Sequence, residues 1–330
     1  PRLFEPLGID SVTWDENPQG ITLGMIGASL RTEDMAKLGQ LLLQEGEWQG
    51  RQLVPAAYVE DAASFYITTN TEGVPEDEVT DAQMGYGYQF WLGRDGSFRM
   101  AGLGGQLVIV MPEQDAVAVF TSNVGQNPDQ VHLVWDHLVP AMSDEPLPPD
   151  PAANEALQAR LASLEIPPAP SPGDPAFVDA TVEGETFALE ENPQDLTGAT
   201  FVVDDDRCVV TLQREDGPRT LEAGLASWRT TSLAPASLAG ATTGGFGRAP
   251  ADTDPEPVPA ALTCGLQDDD TLVLTARFLT EALGAESWTI DFASEGPAPA
   301  VAITTGGGRP GAPPPVIRGT ATGAPSGGTP

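Results

Sequence analysis

Residues 101–111 read AGLGGQLVIVM, with three glycines in four positions ahead of an unbroken apolar run. Glycines that cradle a phosphate open a helix, whose N-terminus supplies free N–H groups and a positive dipole end. Here 106–111 is β-branched and apolar, MPEQD forms a short turn, and 116–121 is apolar again. The pattern predicts a hairpin with the glycines just before its first strand, and it argues against nucleotide binding. The glycines then either admit a ligand close to the backbone or only bend the chain.

The segment 30–46, LRTEDMAKLGQLLLQEG, predicts a helix with one apolar stripe. Thr32 is a suitable N-cap, and Gly46 can end the helix. The predicted buried stripe consists of Met35, Leu38 and Leu42. Lys37 lies on the opposite face, so we interpret it as a solvated surface lysine and not as a catalytic one.

Several segments around the hairpin predict an antiparallel meander with helices on either side. Pro55 starts a second helix that runs to about Ala63. The strand segments are GYGYQFWLG, GSFRMAG, QLVIVMP and AVAVFTSN. The segment 127–142 predicts another helix, with a stripe of Val131, Val134, Trp135, Leu138 and Met142. The only two histidines, His132 and His137, flank this stripe on opposite sides, which argues against a shared metal.

The second half of the chain changes in composition. Residues 143–175 are rich in Pro, Asp and Ala and predict a linker that carries one short helix. About nine short strands at hairpin spacing follow in 176–304, which favours a small antiparallel barrel or sandwich. Acidic runs at 204–206 and 268–270 fit hairpin turns better than calcium loops. The last stretch, 305–330, is rich in Gly, Pro and Thr and predicts a disordered tail.

Composition limits the partners. There are 48 acidic and 15 basic residues, and the formal charge of −33 disfavours nucleic acid and anionic membrane surfaces. No apolar stretch approaches the 18 residues of a membrane span. Cys208 and Cys264 form either a disulfide or two buried thiols, and two cysteines are too few for a structural zinc site. The start at Pro1 reads as mid-domain, so we expect a fragment or processed chain, whose compartment stays unknown.

The residues of this chain contain no convincing nucleophile and base pair. A G-x-S-x-G elbow is absent, and S-x-x-K fails because Asp34 stands where a serine would precede Lys37. Y-x-N and S-x-N are absent too. We therefore predict no catalytic residue, no metal ligand and no cofactor in this chain.

Three blocks in a specific order carry a family resemblance: 24–62 (GMIGASLRTEDMAKLGQLLLQEGEWQGRQLVPAAYVEDA), 85–92 (GYGYQFWL) and 98–123 (FRMAGLGGQLVIVMPEQDAVAVFTSN). Over residues 1–142 they resemble the C-terminal half of the β-lactamase-related serine hydrolases. This group includes class C β-lactamases, esterases, D-aminopeptidases and 6-aminohexanoate-dimer hydrolases. GLASWRTTSLA and LQDDDTLVLTARFLTEA resemble the lipocalin-like β domain that follows in one subgroup. The implied fold class is α+β, a partial β-lactamase/transpeptidase-like domain followed by an all-β barrel or sandwich.

The resemblance implies an acyl-serine mechanism on a small-molecule amide, ester or β-lactam. The serine of S-x-x-K attacks the carbonyl, while its lysine and the tyrosine of Y-x-N handle the proton. Those motifs belong to an N-terminal half that this chain lacks. The chain would contribute a strand edge that lines the cleft, consisting of Gly102, Leu103, Gly104, Gly105 and Gln106. Leucine stands at 103 where histidine often stands, which leaves backbone N–H groups to steady an oxyanion.

Three functions remain open at this stage. In the first, the chain is the C-terminal half of a hydrolase. It is inactive by itself, and its partner is the missing N-terminal half of the same domain. Alternatively, it is a non-catalytic hydrolase-like binding or regulatory module, which Leu103 favours. The least favoured reading is a β domain that carries lipid or another small molecule. For a partial domain we also expect exposed sheet edges and marginal solubility.

Overall fold

A computed structural model describes two compact units that meet in sequence at Pro149 and Asp150. The described residues are 2–17, 19–24, 26–69, 80–81, 83–123, 128–173, 182, 185–233, 257–279, 285–293, 298–305 and 316–322.

The first unit contains a four-stranded antiparallel sheet, three helices and two small two-stranded ladders. Its helices are α1 (Thr32–Leu43), α2 (Ala56–Ala62) and α3 (Pro128–Leu133), the last continuing as a π-helical turn (Val134–Leu138) and a 3₁₀ turn (Val139–Ala141). Its strands are β1 (Thr13–Trp14), β2 (Ala28–Ser29), β3 (Glu47–Trp48), β4 (Arg51–Gln52), β5 (Trp91–Leu92), β6 (Phe98–Gly102), β7 (Gln106–Met111) and β8 (Ala116–Phe120). The order β5-β6-β7-β8 confirms the predicted meander, with β7 and β8 as the expected hairpin.

The central strand β7 is covered on both faces, which explains why its whole run is apolar. Leu107, Ile109 and Met111 pack in one buried cluster with Val131, Val134 and Trp135. On the other side, α1 approaches β7 and β8 closely at Gly39. A Cβ atom there would lie 2.7 Å from Val108 Cγ1 and 2.5 Å from Val117 Cγ1. Glycine at this helical position therefore sets the distance between helix and sheet.

The predicted details of α1 are partly wrong. Arg31, not Thr32, is the N-cap residue, and the Thr32 hydroxyl lies 3.0 Å from that of Thr121. The fully buried helix positions are Asp34, Gly39 and Leu41, whereas Met35, Leu38 and Leu42 are half-buried. The fully buried positions thus include a carboxylate and a glycine, which an apolar stripe does not predict. The helix ends at Leu43 with Gln44 as its C-cap, so Gly46 is not the residue that ends it. The left-handed backbone begins at Glu45, with a φ of +52°, and continues at Gly46, with a φ of +84°.

Lys37 is not a free surface lysine. Its Nζ donates to Asp34 Oδ1 at 2.7 Å and to the carbonyl of Gly8 at 2.9 Å. Ser11 Oγ donates to the other oxygen of Asp34 at 3.0 Å. These bonds satisfy the buried carboxylate and tie the first residues of the chain to α1.

The stripe predicted in 127–142 is confirmed only at its start. Val131, Val134 and Trp135 are buried, but Leu138 and Met142 are 44% and 37% exposed. The helix widens to π geometry after Leu133 and then tightens to 3₁₀, so a 3.6-residue spacing no longer keeps one face inward. His132 and His137 are both exposed.

Within the described residues, the longest elements of the second unit are a helix and the strands of a β-barrel. The helix is α4 (Pro151–Ala162), capped by Asp150, and it contains most of the short helix predicted in the linker. The strands are β9 (Phe187–Leu189), β10 (Leu196–Val203), β11 (Arg207–Arg214), β12 (Arg219–Leu225), β13 (Arg229–Leu233), β14 (Val258–Leu266), β15 (Thr271–Phe278), β16 (Ala285–Ala293), β17 (Ala300–Thr305) and β18 (Val316–Ala321). The nine predicted strand segments correspond to β9 to β17, and both acidic runs are hairpin turns, between β10 and β11 and between β14 and β15.

Nine of these strands close into a ring, so the barrel alternative holds and the sandwich is wrong. Antiparallel pairs run from β12 through β11, β10, β9, β18, β17, β16 and β15 to β14. A short parallel pairing of β12 with β14 closes the ring, and β13 pairs with the other half of the same β14 edge. Apolar side chains fill the interior, including Trp288 and a Phe187, Phe201 and Phe292 cluster with ring centroids 5.2 to 6.4 Å apart.

The predicted disordered tail is wrong at residues 316–321. Strand β18 pairs with β17 on one side and β9 on the other, and Ile317 is buried. Strand β18 was not predicted because its only apolar signal is the pair Val316 and Ile317, within a segment rich in Gly and Pro. Residues 306–315 and 323–330 of the expected tail lie outside the described residues.

Cys208 and Cys264 form a disulfide, which decides between the two alternatives left open by the sequence. Cys208 pairs across β11 and β12 with Ala223, and Cys264 pairs across β14 and β12 with Leu225. The bond therefore links β11 to β14 at the place where the ring closes. Disulfides of this buried, structural kind form in oxidising surroundings.

Candidate functional site

The segment Gly102 to Gln106 connects two strands of the open sheet. Gly102 ends β6 and pairs with Gln106, which begins β7, so Leu103, Gly104 and Gly105 form a three-residue loop that we call the glycine turn. Gly104 and Gly105 have φ values of +76° and +86°, a region that L side chains rarely adopt. The turn therefore needs glycine for its backbone conformation, whatever else it does.

Two polar side chains hold the carbonyl groups of the glycine turn. Ser122 Oγ, just after β8, lies 2.7 Å from the carbonyl oxygen of Gly104 and 2.9 Å from that of Gly105. Gln130 Nε2 on α3 donates to the Gly105 carbonyl at 3.2 Å and to Ser122 Oγ at 2.7 Å. Since Ser122 and Gln130 hold both carbonyls, the peptide planes of the turn are fixed.

Gln106 also serves the turn. Its Nε2 donates to the carbonyl of Leu103 at 3.3 Å and to the carbonyl of Ser122, while its Oε1 accepts from the Ser122 N–H at 3.2 Å. The side-chain amide is thus engaged at both ends. Gln106 is one of the five residues that the sequence assigned to substrate binding. The structure shows that its side chain instead bonds the turn to Ser122, which the sequence did not reveal.

The carbonyl groups of Gly104 and Gly105 accept hydrogen bonds, but their N–H groups donate none within the described part of the chain. Beside them the Leu103 side chain is 58% exposed. Two adjacent N–H donors on a turn of fixed geometry are a chemically suitable arrangement for stabilising an oxyanion or a carbonyl oxygen.

Packing leaves no room for a side chain at Gly105. A Cβ atom would lie 2.3 Å from Ser122 Oγ and 2.5 Å from Gln130 Oε1. At Gly102, in contrast, the nearest atom to a Cβ would be Gln106 Cβ at 3.2 Å. The turn is therefore tightest against the Ser122 and Gln130 side chains.

An ion pair with a buried carboxylate supports the sheet that carries the turn. Arg94 Nε donates to both carboxylate oxygens of Asp81, at 3.1 and 3.2 Å, Arg94 Nη2 donates at 2.8 Å, and the Arg94 backbone N–H donates at 3.0 Å. Arg99 on β6 donates to the Asp81 carbonyl and stacks 5.9 Å from the Trp91 ring, and burial lowers its pKa. No sequence pattern marks this pair, because Asp81 stands in an acidic loop among similar residues.

A second group missed by the sequence analysis consists of Asp61, Tyr66 and Tyr88. Both hydroxyls donate to the Asp61 carboxylate, and the tyrosine rings lie 4.8 Å apart. The two hydrogen bonds lower the pKa of Asp61, and the bond to Asp61 raises the pKa of Tyr66. Tyr66 is therefore a stable neutral donor and poorly suited to act as a phenolate base.

The described residues form neither a metal-ligand cluster nor a membrane-spanning helix. No group of three or more His, Cys, Asp or Glu side chains there is arranged to hold a metal ion. None of the described helices has the length and apolarity needed to cross a membrane.

Comparisons with known proteins give weak structural likeness. No protein-family model matches the chain, and no curated protein matches it. One similar solved structure, from Bacillus anthracis, is provisionally assigned as a 6-aminohexanoate-dimer hydrolase, with 26% identity, a TM-score of 0.33, and coverage of 42% of this chain and 35% of that one. Another is an octameric penicillin-binding protein homologue from Pyrococcus abyssi, with 14% identity, a TM-score of 0.31, and coverage of 92% and 56%.

The chain thus spans about a third of one of these proteins and just over half of the other. Because the TM-scores are low, the assignment of function has to rest on the residues of this chain.

Proposed function

We propose that this chain is the C-terminal part of a β-lactamase-related serine hydrolase that cleaves a small amide, ester or β-lactam through an acyl-serine intermediate. The observation that carries the proposal is the glycine turn. Its carbonyls are bound by Ser122 and Gln130, while the N–H groups of Gly104 and Gly105 have no acceptor within the described residues. The ordered sequence blocks over residues 1–142 support the same assignment.

The roles divide between this chain and the part that would precede it. The preceding part supplies the serine and lysine of S-x-x-K and the tyrosine of Y-x-N, which perform nucleophilic attack and proton transfer. In this chain, Gly104 and Gly105 donate N–H groups to the acyl oxygen as negative charge develops on it. Leu103 presents an apolar side chain beside the reacting group, in the place of a polar one.

The first experiment translates the coding DNA upstream of Pro1 in frame and expresses the joined protein beside the 330-residue chain. We expect S-x-x-K followed by Y-x-N upstream. We also expect p-nitrophenyl acetate turnover in the joined protein and none in the chain alone. A joined protein whose motif serine is replaced by alanine is the control for background hydrolysis. An unrelated upstream sequence, or turnover that survives the serine replacement, would contradict the proposal.

Leu103 favours a second candidate, a non-catalytic hydrolase-like module that binds a ligand or a partner. The two candidates differ in one outcome. A joined protein that carries both motifs and folds, but shows neither turnover nor an acyl-enzyme by mass spectrometry, would support the binding module.

A further inference from the structure

A proline-rich segment covers part of the outer face of the barrel. Residues 166–173, IPPAPSPG, which we call the proline-rich strap, lie within the predicted linker. Four hydrogen bonds fix the strap: Trp228 Nε1 to the Ile166 carbonyl at 2.7 Å, Ala169 N to Thr263 Oγ1 at 3.2 Å, Leu266 N to Ser171 Oγ at 3.1 Å, and Gly173 N to the Leu266 carbonyl at 3.1 Å. The strap is therefore a part of the barrel unit and not a free connection.

Strand β14 is built to receive the strap. A Cβ atom at Gly265 would lie 2.1 Å from the carbonyl oxygen of Pro170. Any other residue at this position would push the strap off the strand, because a backbone atom is in the way. The close approach fixes the height of the strap above the neighbouring strands.

A cavity of about 210 Å³ lies between the strap and the barrel surface. Its lining consists of Pro167, Pro168, Ala169, Trp228, Thr263, Thr275, Arg277 and Ser287. The prolines and the indole supply apolar walls. The polar groups come from adjacent strands, where the Thr275 and Ser287 hydroxyls lie 2.9 Å apart and Arg277 follows two residues along β15.

The Arg277 side chain has an unsatisfied hydrogen-bond donor within the described structure. Its Nε is buried and has no hydrogen-bond partner within the described structure. Among the side chains that the structure describes, no carboxylate lies within 4 Å of its guanidinium, although acidic residues outnumber basic ones by 48 to 15. A buried donor without an acceptor is costly, so this site is short of one hydrogen-bond acceptor.

We propose that the cavity beneath the proline-rich strap binds a small organic carboxylate. The Arg277 guanidinium pairs with the carboxylate, one hydroxyl of the linked Thr275 and Ser287 pair donates to it, and a short hydrocarbon tail packs between Trp228 and the prolines. A guanidinium matches the planar, two-oxygen geometry of a carboxylate. One cation also balances one negative charge, whereas a phosphate dianion would leave an excess of negative charge in an already acidic protein. This site does not depend on the proposed hydrolase activity.

The test uses the indole N–H signal of Trp228 in the full ¹⁵N-labelled chain, assigned by its loss in Trp228→Phe. Butyrate is titrated at constant ionic strength, and inorganic phosphate in a parallel series. We expect a saturable shift with butyrate whose apparent Kd rises at least tenfold in Arg277→Met and to a smaller extent in Ser287→Ala. Arg318→Met, which removes another outward-facing barrel arginine, is the matched control and should leave the Kd unchanged.

Three outcomes would overturn the proposal: no saturable shift, an equal shift in Arg277→Met, or an equal loss of affinity in Arg318→Met. Binding of phosphate as tight as that of butyrate would overturn the assignment to a carboxylate. Because Arg277→Met could disturb the barrel, Arg277→Lys is measured beside it. Lys keeps the charge but loses the two-point geometry, so the Kd should still rise while the other five tryptophan signals stay in place.

Discussion

The two units solve the problem of strand edges differently. In the second unit, nine strands close on themselves around one apolar interior. In the first unit, the sheet β5 to β8 is open, and the described buried side chains separate into smaller clusters around β7 and around α1. The difference teaches that closing a sheet pairs its end strands and encloses one core, whereas the described open sheet depends on the helices packed against it for its buried clusters.

The same contrast appears in how each unit handles buried charge. The first unit buries Asp34 and Asp81, each held by a cation from an exposed or half-buried side chain. The described barrel interior is almost entirely apolar and is cross-linked by a disulfide. We therefore expect the two units to respond differently to reduction, to packing changes and to pH.

The largest effect should come from the disulfide. Replacing Cys208 and Cys264 with serine removes a cross-link that spans 56 residues. Because the unfolded chain then gains conformational entropy, the free energy of unfolding should fall by about 4 kcal/mol. Calorimetry should show two transitions, with only the barrel transition moving to lower temperature. The double Cys→Ala variant controls for burying two hydroxyls. If both transitions moved equally, the two units would not be thermally independent.

Gly105→Ala should have the next largest effect, and in the first unit alone. The methyl group would meet Ser122 Oγ at a backbone conformation that alanine disfavours, at a cost of about 2 kcal/mol. Chemical denaturation followed by near-UV circular dichroism measures it. Gly102→Ala is the matched control, because its nearest neighbour is at 3.2 Å and its φ is not positive, so it should cost less. Equal costs at the two positions would contradict the role assigned to Ser122 and Gln130.

Lys37→Met should produce a smaller, pH-dependent loss of stability in the first unit. The hydrogen bond from Lys37 lowers the pKa of Asp34 below its ordinary value of 3.8. A lowered carboxyl pKa stabilises the fold above the ordinary value, and this contribution disappears as the pH falls through the folded-state pKa. Wild type and variant should therefore differ at pH 7 and converge in acid. A difference that is constant from pH 7 to pH 3 would indicate lost packing instead.

Leu103→Ala should have the smallest effect on stability, within about 0.5 kcal/mol, because the side chain is exposed and only its backbone is held. The variant separates substrate contact from folding. In the joined protein we expect a raised KM with little change in melting temperature. A clear drop in melting temperature would mean that Leu103 is covered by the rest of its domain.

Much of the fold could be predicted from local patterns. Alternation of apolar and polar residues gave the strands β9 to β17, and the apolar run of β7 gave the central hairpin, because both signals extend over only a few residues. The predicted stripe beyond Trp135 failed because the helix changes its pitch there, and β18 was missed because its signal is only two residues long.

For the candidate site, the sequence identified the glycine turn but not what holds it. Its glycines are visible in the sequence, and Gly104 and Gly105 are required there by their positive φ angles. Ser122 and Gln130 are ordinary residues, 17 and 25 positions after Gly105, and nothing in their local pattern marks them. Their role follows only from the way β8 and α3 return to the turn.

The sequence by itself determined where strands, turns and glycine-dependent bends occur, since each depends on the conformational preferences of a few consecutive residues. Only the tertiary structure decided which distant residues meet. The parallel pairing of β12 with β14, the bond between Cys208 and Cys264, and the contact of Lys37 with Asp34 and Gly8 are of this kind. Such contacts depend on how whole elements pack, and packing is a property of the assembled chain.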